Sequence, residues 1–164
     1  MHPNAQLIQQ FYDCFQARDA AGMSACYHAK VVFSDPVFGR LQGPRAAAMW
    51  HLLCGRAQDL ALTLSNVQAN SDTGSAHWEA RYTFGMARRP IHNVIDAAFV
   101  FREGLILQHT DTFDLWRWSR MALGPAGLLL GWTPMLQASI RKSARRGLEA
   151  FMQKQVEAKP PSQA

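Results

Sequence analysis

The 164 residues are the length of one ordinary domain, and 48% apolar with 18% charged residues is a composition that buries a core and excludes a disordered chain. The net charge of +5 is unevenly spread, because residues 1–115 carry nine Lys/Arg against ten Asp/Glu while residues 116–164 carry eight against two. A neutral body with a basic tail argues against a nucleic-acid face and for a local role of the C-terminal segment. Cys14, Cys26 and Cys54 form no CxxC and no metal spacing. They predict buried free thiols in a reducing, cytoplasmic setting. The opening MHPNAQLIQQ has neither the basic start nor the apolar run of a secretory leader. The stretch from Ala122 to Leu136 is too short, and too broken by Pro125, Pro134 and three glycines, to span a membrane.

In chain order, Asn4 is the expected cap of a first helix whose Leu7, Ile8, Phe11, Tyr12 and Phe15 recur at helical spacing. A short second helix follows the cap Asp19. KVVFSDP (Lys30 to Pro36) reads as a strand ended by its proline, and FGRLQG as a turn. GPRAAAMWHLL (Gly43 to Leu53) reads as a third helix with Pro44 in its first turn. Four long strands then alternate along DLALTLSNVQAN, SAHWEARYTFGM, IHNVIDAAFVF and LILQHTDTFDLW, joined by turns at NSDTGS, ARRP and the tight REG. Successive hairpins make an antiparallel meander, and the helices before it must cover its apolar face. Beyond Trp116 the chain predicts short helical turns. After these comes a helix from Pro134 to about residue 155 with Leu136, Ile140, Ala144, Leu148 and Phe151 on one stripe, and then a frayed tail, EAKPPSQA.

The stretch RDAAGMSACYHAKVVFSDPVFGRLQG, with its Tyr27…Asp35-Pro36…Gly43 spacing, and the strand pair FVFREGLILQHTDTFD carry a resemblance to the NTF2-like superfamily, also called SnoaL-like or ketosteroid-isomerase-like. The resemblance implies an α+β cone: three N-terminal helices packed on a curved, mostly antiparallel sheet. It implies a domain over residues 1–116 and leaves 117–164 as a C-terminal helical extension and disordered tail. It also implies an apolar pocket and no particular reaction.

Asp35 is the first candidate for chemistry. Matched to the isomerases it is the base, and the flanking Phe33, Val37 and Phe38 would desolvate it. Alternatively it is a turn former before Pro36. The positions of the isomerase carbonyl-polarising pair fall at Phe11 and Ala97, with Tyr12 and Asp96 one residue off. His109, Asp111 and Phe113 alternate onto one face, which the resemblance makes the pocket face. With Asp35, His109 and Asp111 form either an acid–base cluster, in which Asp35 is the base and they are acid and orienting partner, or a buried structural network. Tyr12, Tyr27, Trp50, Trp78, Tyr82, Asn93 and Phe113 are the expected ligand contacts, with plain core as the alternative for the aromatics. His77, Glu79, Arg81, His92 and Asp96 fall on the outer face. No dense metal motif, phosphate loop or nucleophile elbow is present, so neither a metal nor a cofactor is expected.

Three functions fit these residues. One is a cofactor-free acid–base enzyme (isomerase, cyclase, dehydratase or epoxide-hydrolase type) acting on a small hydrophobic ligand. Another is a non-catalytic ligand- or partner-binding domain of the same shape. The last is membrane-surface docking through the basic C-terminal helix and the Trp-rich segment. The last is the least favoured, because Leu128, Leu129, Leu130, Trp132, Met135 and Leu136 are expected to pack on the chain's own body or on its dimer mate near the pocket mouth, as a lid, with Arg141, Lys142, Arg145 and Arg146 in solvent. A homodimer through the outer sheet face completes the expectation.

Overall fold

A computed structural model describes residues 1–159; the last five residues of the expected tail lie outside them. Helix α1 (Pro3–Gln16) begins one residue earlier than its expected cap. His2 caps it instead, its Nδ1 accepting from the Asn4 N–H at 3.1 Å, because Pro3 already suits the first helical position. Asn4 is buried, and its side-chain amide donates to the carbonyls of Asn70 (2.9 Å) and Ser71 (3.1 Å), which fastens the helix to a turn of the sheet. Asp19 caps α2 (Ala20–Ala25) through the Gly22 N–H, as its sequence predicts.

Six strands follow, where the sequence suggests five. They are β1 (Tyr27–Asp35), β2 (Gly39–Gln42), β3 (Ala61–Ala69), β4 (Thr73–Phe84), β5 (Arg89–Arg102) and β6 (Leu105–Thr112), with α3 (Pro44–Arg56) between β2 and β3. The additional one, β2, lies in the stretch expected to be a turn, and it pairs antiparallel with β1. Four residues with only Leu41 buried are too few to show an alternation. The order across the sheet is β2-β1-β6-β5-β4-β3, all antiparallel except the parallel β1–β6 contact. Glu103 and Gly104, both at positive φ, close the predicted two-residue hairpin between Arg102 and Leu105. Bulges interrupt β1, β3 and the β5–β6 ladder, and at β3 Asn66 takes a left-handed φ of 52°. Such interruptions bend strands, and the bent sheet wraps around the helices.

The predicted alternation sets the two faces. Ile91, Asn93, Ile95, Ala97 and Phe99 of β5 and His109 and Asp111 of β6 are buried beneath the helices, while Asp96, Ala98, Thr110 and Thr112 are exposed on the convex side. Phe11, Trp50, Phe33 and Met49 fill the interior.

Three helices end the described chain: α4 (Leu115–Leu123), α5 (Pro125–Leu130) and α6 (Pro134–Ala158). Asp114 caps α4 and Thr133 caps α6. The stripe on α6 packs as predicted, with Leu148 fully buried in the main core. Two expectations fail here. Arg141 and Arg145 do not stand free in solvent. Arg141 Nε donates to the Pro36 carbonyl (3.0 Å), and Arg145 donates to those of Phe38 (2.8 Å) and Arg40 (3.1 Å). The apolar run is also not covered by the chain's own body. Leu128, Leu129, Leu130, Trp132 and Met135 are exposed. No helix among the described residues is long and apolar enough to cross a membrane.

Candidate active site

Strands β1 and β6 run side by side, with Phe33 opposite His109 and Ser34 opposite Thr110. Asp35 and Asp111 follow that last pair on the two strands, near enough for the Asp111 charge to act on Asp35. Burial increases from the half-buried Phe113, Val37 and Asp35 to Asp111, Phe33 and His109 at the bottom.

The bottom is closed. His109 has no exposed surface and both ring nitrogens are engaged. Nδ1 lies 2.8 Å from the Tyr27 hydroxyl, which also accepts from Trp50 Nε1 at 2.8 Å. Nε2 lies 3.0 Å from Asp111 Oδ1, which also accepts from Trp78 Nε1 at 3.3 Å. One hydrogen-bonded chain thus runs Trp50–Tyr27–His109–Asp111–Trp78. Phe11, Phe33, Phe99 and Trp50 pack around the imidazole, with ring centroids between 4.5 and 6.0 Å from it. This satisfies the polar groups that burial would otherwise penalise.

Asp35 stands apart from that chain. Its Oδ1 accepts from the backbone N–H groups of Val37 (3.0 Å) and Phe38 (2.5 Å), as a residue initiating a turn does. No hydrogen bond links it to His109 or Asp111 among the described residues. Burial pushes its carboxyl up to about 7, against the pull of the Phe38 N–H, and the Asp111 charge adds to the rise. The three carboxyl and imidazole groups are therefore neighbours on one face, but only His109 and Asp111 touch.

The expected contacts divide by depth. Trp50, Trp78 and Tyr27 are buried and committed to the network. Tyr82 and Phe113 are half-buried at the mouth, where the Tyr82 hydroxyl accepts from Trp118 Nε1 at 3.0 Å. Asn93 is buried on the same face. The Tyr12 hydroxyl is fully enclosed and makes no well-aligned hydrogen bond; burial, then the Asp111 charge, hold its pKa far above the phenol value and outweigh the downward pull of the Trp78 indole. A helix shows a face about 100° wide, so Tyr12 and Phe11 both turn inward; on β5, where alternation is strict, Ala97 points inward and Asp96 outward. Trp118 and the α6 arginines were not among the sequence candidates; Trp118 alone had a signal, in the amphipathic LWRW.

The two cavities of about 430 and 400 Å³ lie elsewhere, along the outer sides of α1 to α3, and include none of these residues. Val37, Tyr82 and Phe113 are instead covered by Leu115, Trp118, Met121 and Ile140 of α4 and α6. Burial pushes the thiols of Cys26 and Cys54 up to about 11, so neither offers a thiolate near neutral pH. Among the described residues no three His, Cys, Asp or Glu side chains are grouped to hold a metal ion.

A family model described as a SnoaL-like domain matches residues 8–109. No curated protein matches the chain in sequence. Among solved structures, an NTF2-like protein of unknown function from Burkholderia pseudomallei is 18% identical with a TM-score of 0.64, over 74% of this chain and 98% of that one. An LEH-like epoxide hydrolase from M. tuberculosis is 18% identical with a TM-score of 0.62, over 82% and 95%. A putative polyketide cyclase from Xanthomonas campestris is 20% identical with a TM-score of 0.60, over 73% and 96%. At such identities the likeness is one of fold.

Proposed function

The chain belongs to the SnoaL-like domain family, and from that membership and the surroundings of Asp35 we propose that it is a cofactor-free acid–base enzyme acting on a small apolar ligand that bears oxygen. The observation that carries the reading is a carboxyl raised to about 7 on the inner face, beside a closed polar network. Asp35 is the base. The turn holds Oδ1, so Oδ2 is the oxygen offered to a proton. A pKa near the working pH suits proton abstraction. Tyr12, whose hydroxyl lacks a well-aligned partner, and Asn93, buried on the same face, are donors for the ligand's oxygen. His109 is saturated at both nitrogens, so with Asp111 it positions the site. Isomerisation, cyclisation and epoxide opening all use such a set. The named epoxide hydrolase and the putative cyclase of the same fold support choosing among these classes.

The test is turnover by the full chain of three probes: styrene oxide, a β,γ-unsaturated cyclohexenone and an aryl β-keto ester. Turnover of one of them should fall by at least about 100-fold in Asp35→Asn. Equal rates in the variant would refute the base assignment, and no turnover of any probe would leave the reading without its reaction.

A second reading is favoured by the packed interior, where Phe11, Phe33 and Trp50 are buried against the His109 ring. It is a non-catalytic domain that holds an apolar ligand at the mouth. It expects Asp35→Asn to bind that ligand unchanged.

A further inference from the structure

Seven of the eleven large apolar side chains exposed in the described chain fall between Trp116 and Met135: Trp116, Leu123, Leu128, Leu129, Leu130, Trp132 and Met135. They form one apex. Trp116 Nε1 donates to the Leu128 carbonyl (3.1 Å) and Trp132 Nε1 to that of Leu129 (3.0 Å), so both indoles spend their only polar atom inside the apex and present rings to the outside. The apex is firmly held. A Cβ at Gly127 would lie 1.9 Å from the Ser119 carbonyl, the mark of close backbone packing between α5 and α4. Leu129 (68% exposed), Trp132 (62%) and Met135 (84%) are therefore displayed by ordered backbone.

The charge beside it is positive: Arg117 and Arg120 belong to α4, the Arg120 guanidinium sits 4.9 Å from the centre of the Trp116 ring, and the Arg89 guanidinium lies against Gly124, between α4 and α5. A second copy presenting the same apex would meet its own positive charge. An anionic lipid headgroup layer complements it, and indole and leucine side chains suit the boundary just beneath.

We propose that the apex built from α4, α5 and the start of α6 docks the protein on anionic membrane surfaces, with Leu129, Leu130, Trp132 and Met135 entering the interface and Arg117 and Arg120 of α4 facing the headgroups. The inference stands apart from the acid–base reading and survives its failure. The full chain is sedimented with vesicles of phosphatidylcholine, alone or with about 30 mol% phosphatidylserine. Binding is expected only to the serine-containing vesicles, weakening at least about tenfold at high salt. The double variant Leu129→Asp/Trp132→Asp should lose at least about tenfold of that binding with unchanged circular dichroism and unchanged mass in solution. Failure of the full chain to bind the anionic vesicles, or equal binding by the variant, overturns the proposal. A concentration-dependent mass increase that the variant abolishes would assign the apex to a second copy and overturn it too.

Discussion

The Asp35 carboxyl is held by two backbone N–H groups yet raised to about 7, so burial outweighs the hydrogen bonds. In the unfolded chain the same group titrates near 4. The folded protein keeps a proton that the unfolded chain releases. The stabilisation tied to that proton is complete below about pH 4 and is lost as the pH rises through about 7. Three pH units correspond to at most about 4 kcal/mol. Asp35→Asn cannot ionise and keeps its Oδ1 acceptor. It should exceed the native chain in urea stability by about 1–4 kcal/mol at pH 8 and match it near pH 4. The same proton sets the opposite course for turnover, whose kcat/KM should rise with pH to a plateau above about 7. At Tyr12 the prediction is a split. Removing a buried hydroxyl that lacks a well-aligned partner, in Tyr12→Phe, should raise stability by about 1 kcal/mol in thermal melts while weakening ligand binding. The first effect without the second would make Tyr12 a core residue.

The alternation of LILQHTDTFD sets His109 and Asp111 on one face, and the resemblance to the NTF2-like hairpin, not the alternation, says that this face is the inner one, where both are buried. For Asp35 the place before Pro36 makes legible only the turn that its Oδ1 holds. Less local arrangements were not readable. β2 owes its existence to pairing with β1, and nothing within GRLQ announces it. The arginines of α6 find carbonyls more than a hundred residues back, and no spacing rule links such partners. That clamp bears on the site, because Arg141 and Arg145 hold the Pro36–Arg40 turn from outside while Asp35 holds it from within. Arg141→Ala/Arg145→Ala should cost about 1–3 kcal/mol, discounted for partial exposure, in urea unfolding. It should also lower kcat more than it raises KM, since the base loses its placement. A change in KM alone would limit the clamp to a structural role.

At the scale of the molecule the convex face of the sheet remains to be accounted for. Its middle is a row of small residues, Ser75, Ala98 and Thr110, aligned across β4, β5 and β6. Beside it His77 Nδ1 lies 2.8 Å from Asp96 Oδ1, and His92 Nε2 lies 2.6 Å from Glu79 Oε2. A flat centre of short side chains with ion pairs alongside permits two copies to approach closely about a twofold axis, each pair being available to its symmetry mate. A homodimer formed this way leaves the mouth near Phe113 on the concave side and keeps the α5 apex outside the contact. The expected result is a solution mass of twice the 18.4 kDa chain at micromolar concentration by light scattering. Ala98 is exposed on the convex side, so Ala98→Arg disturbs neither the core nor the Tyr27–His109–Asp111 chain. It drives a long cation into the centre of the contact and opposes it to its own copy across the axis, where like charges held together cost several kcal/mol. The variant should scatter as a single chain and keep its circular dichroism. If it stays dimeric, the contact lies on another face; if the native chain scatters as one copy, the convex face pairs with nothing of its own.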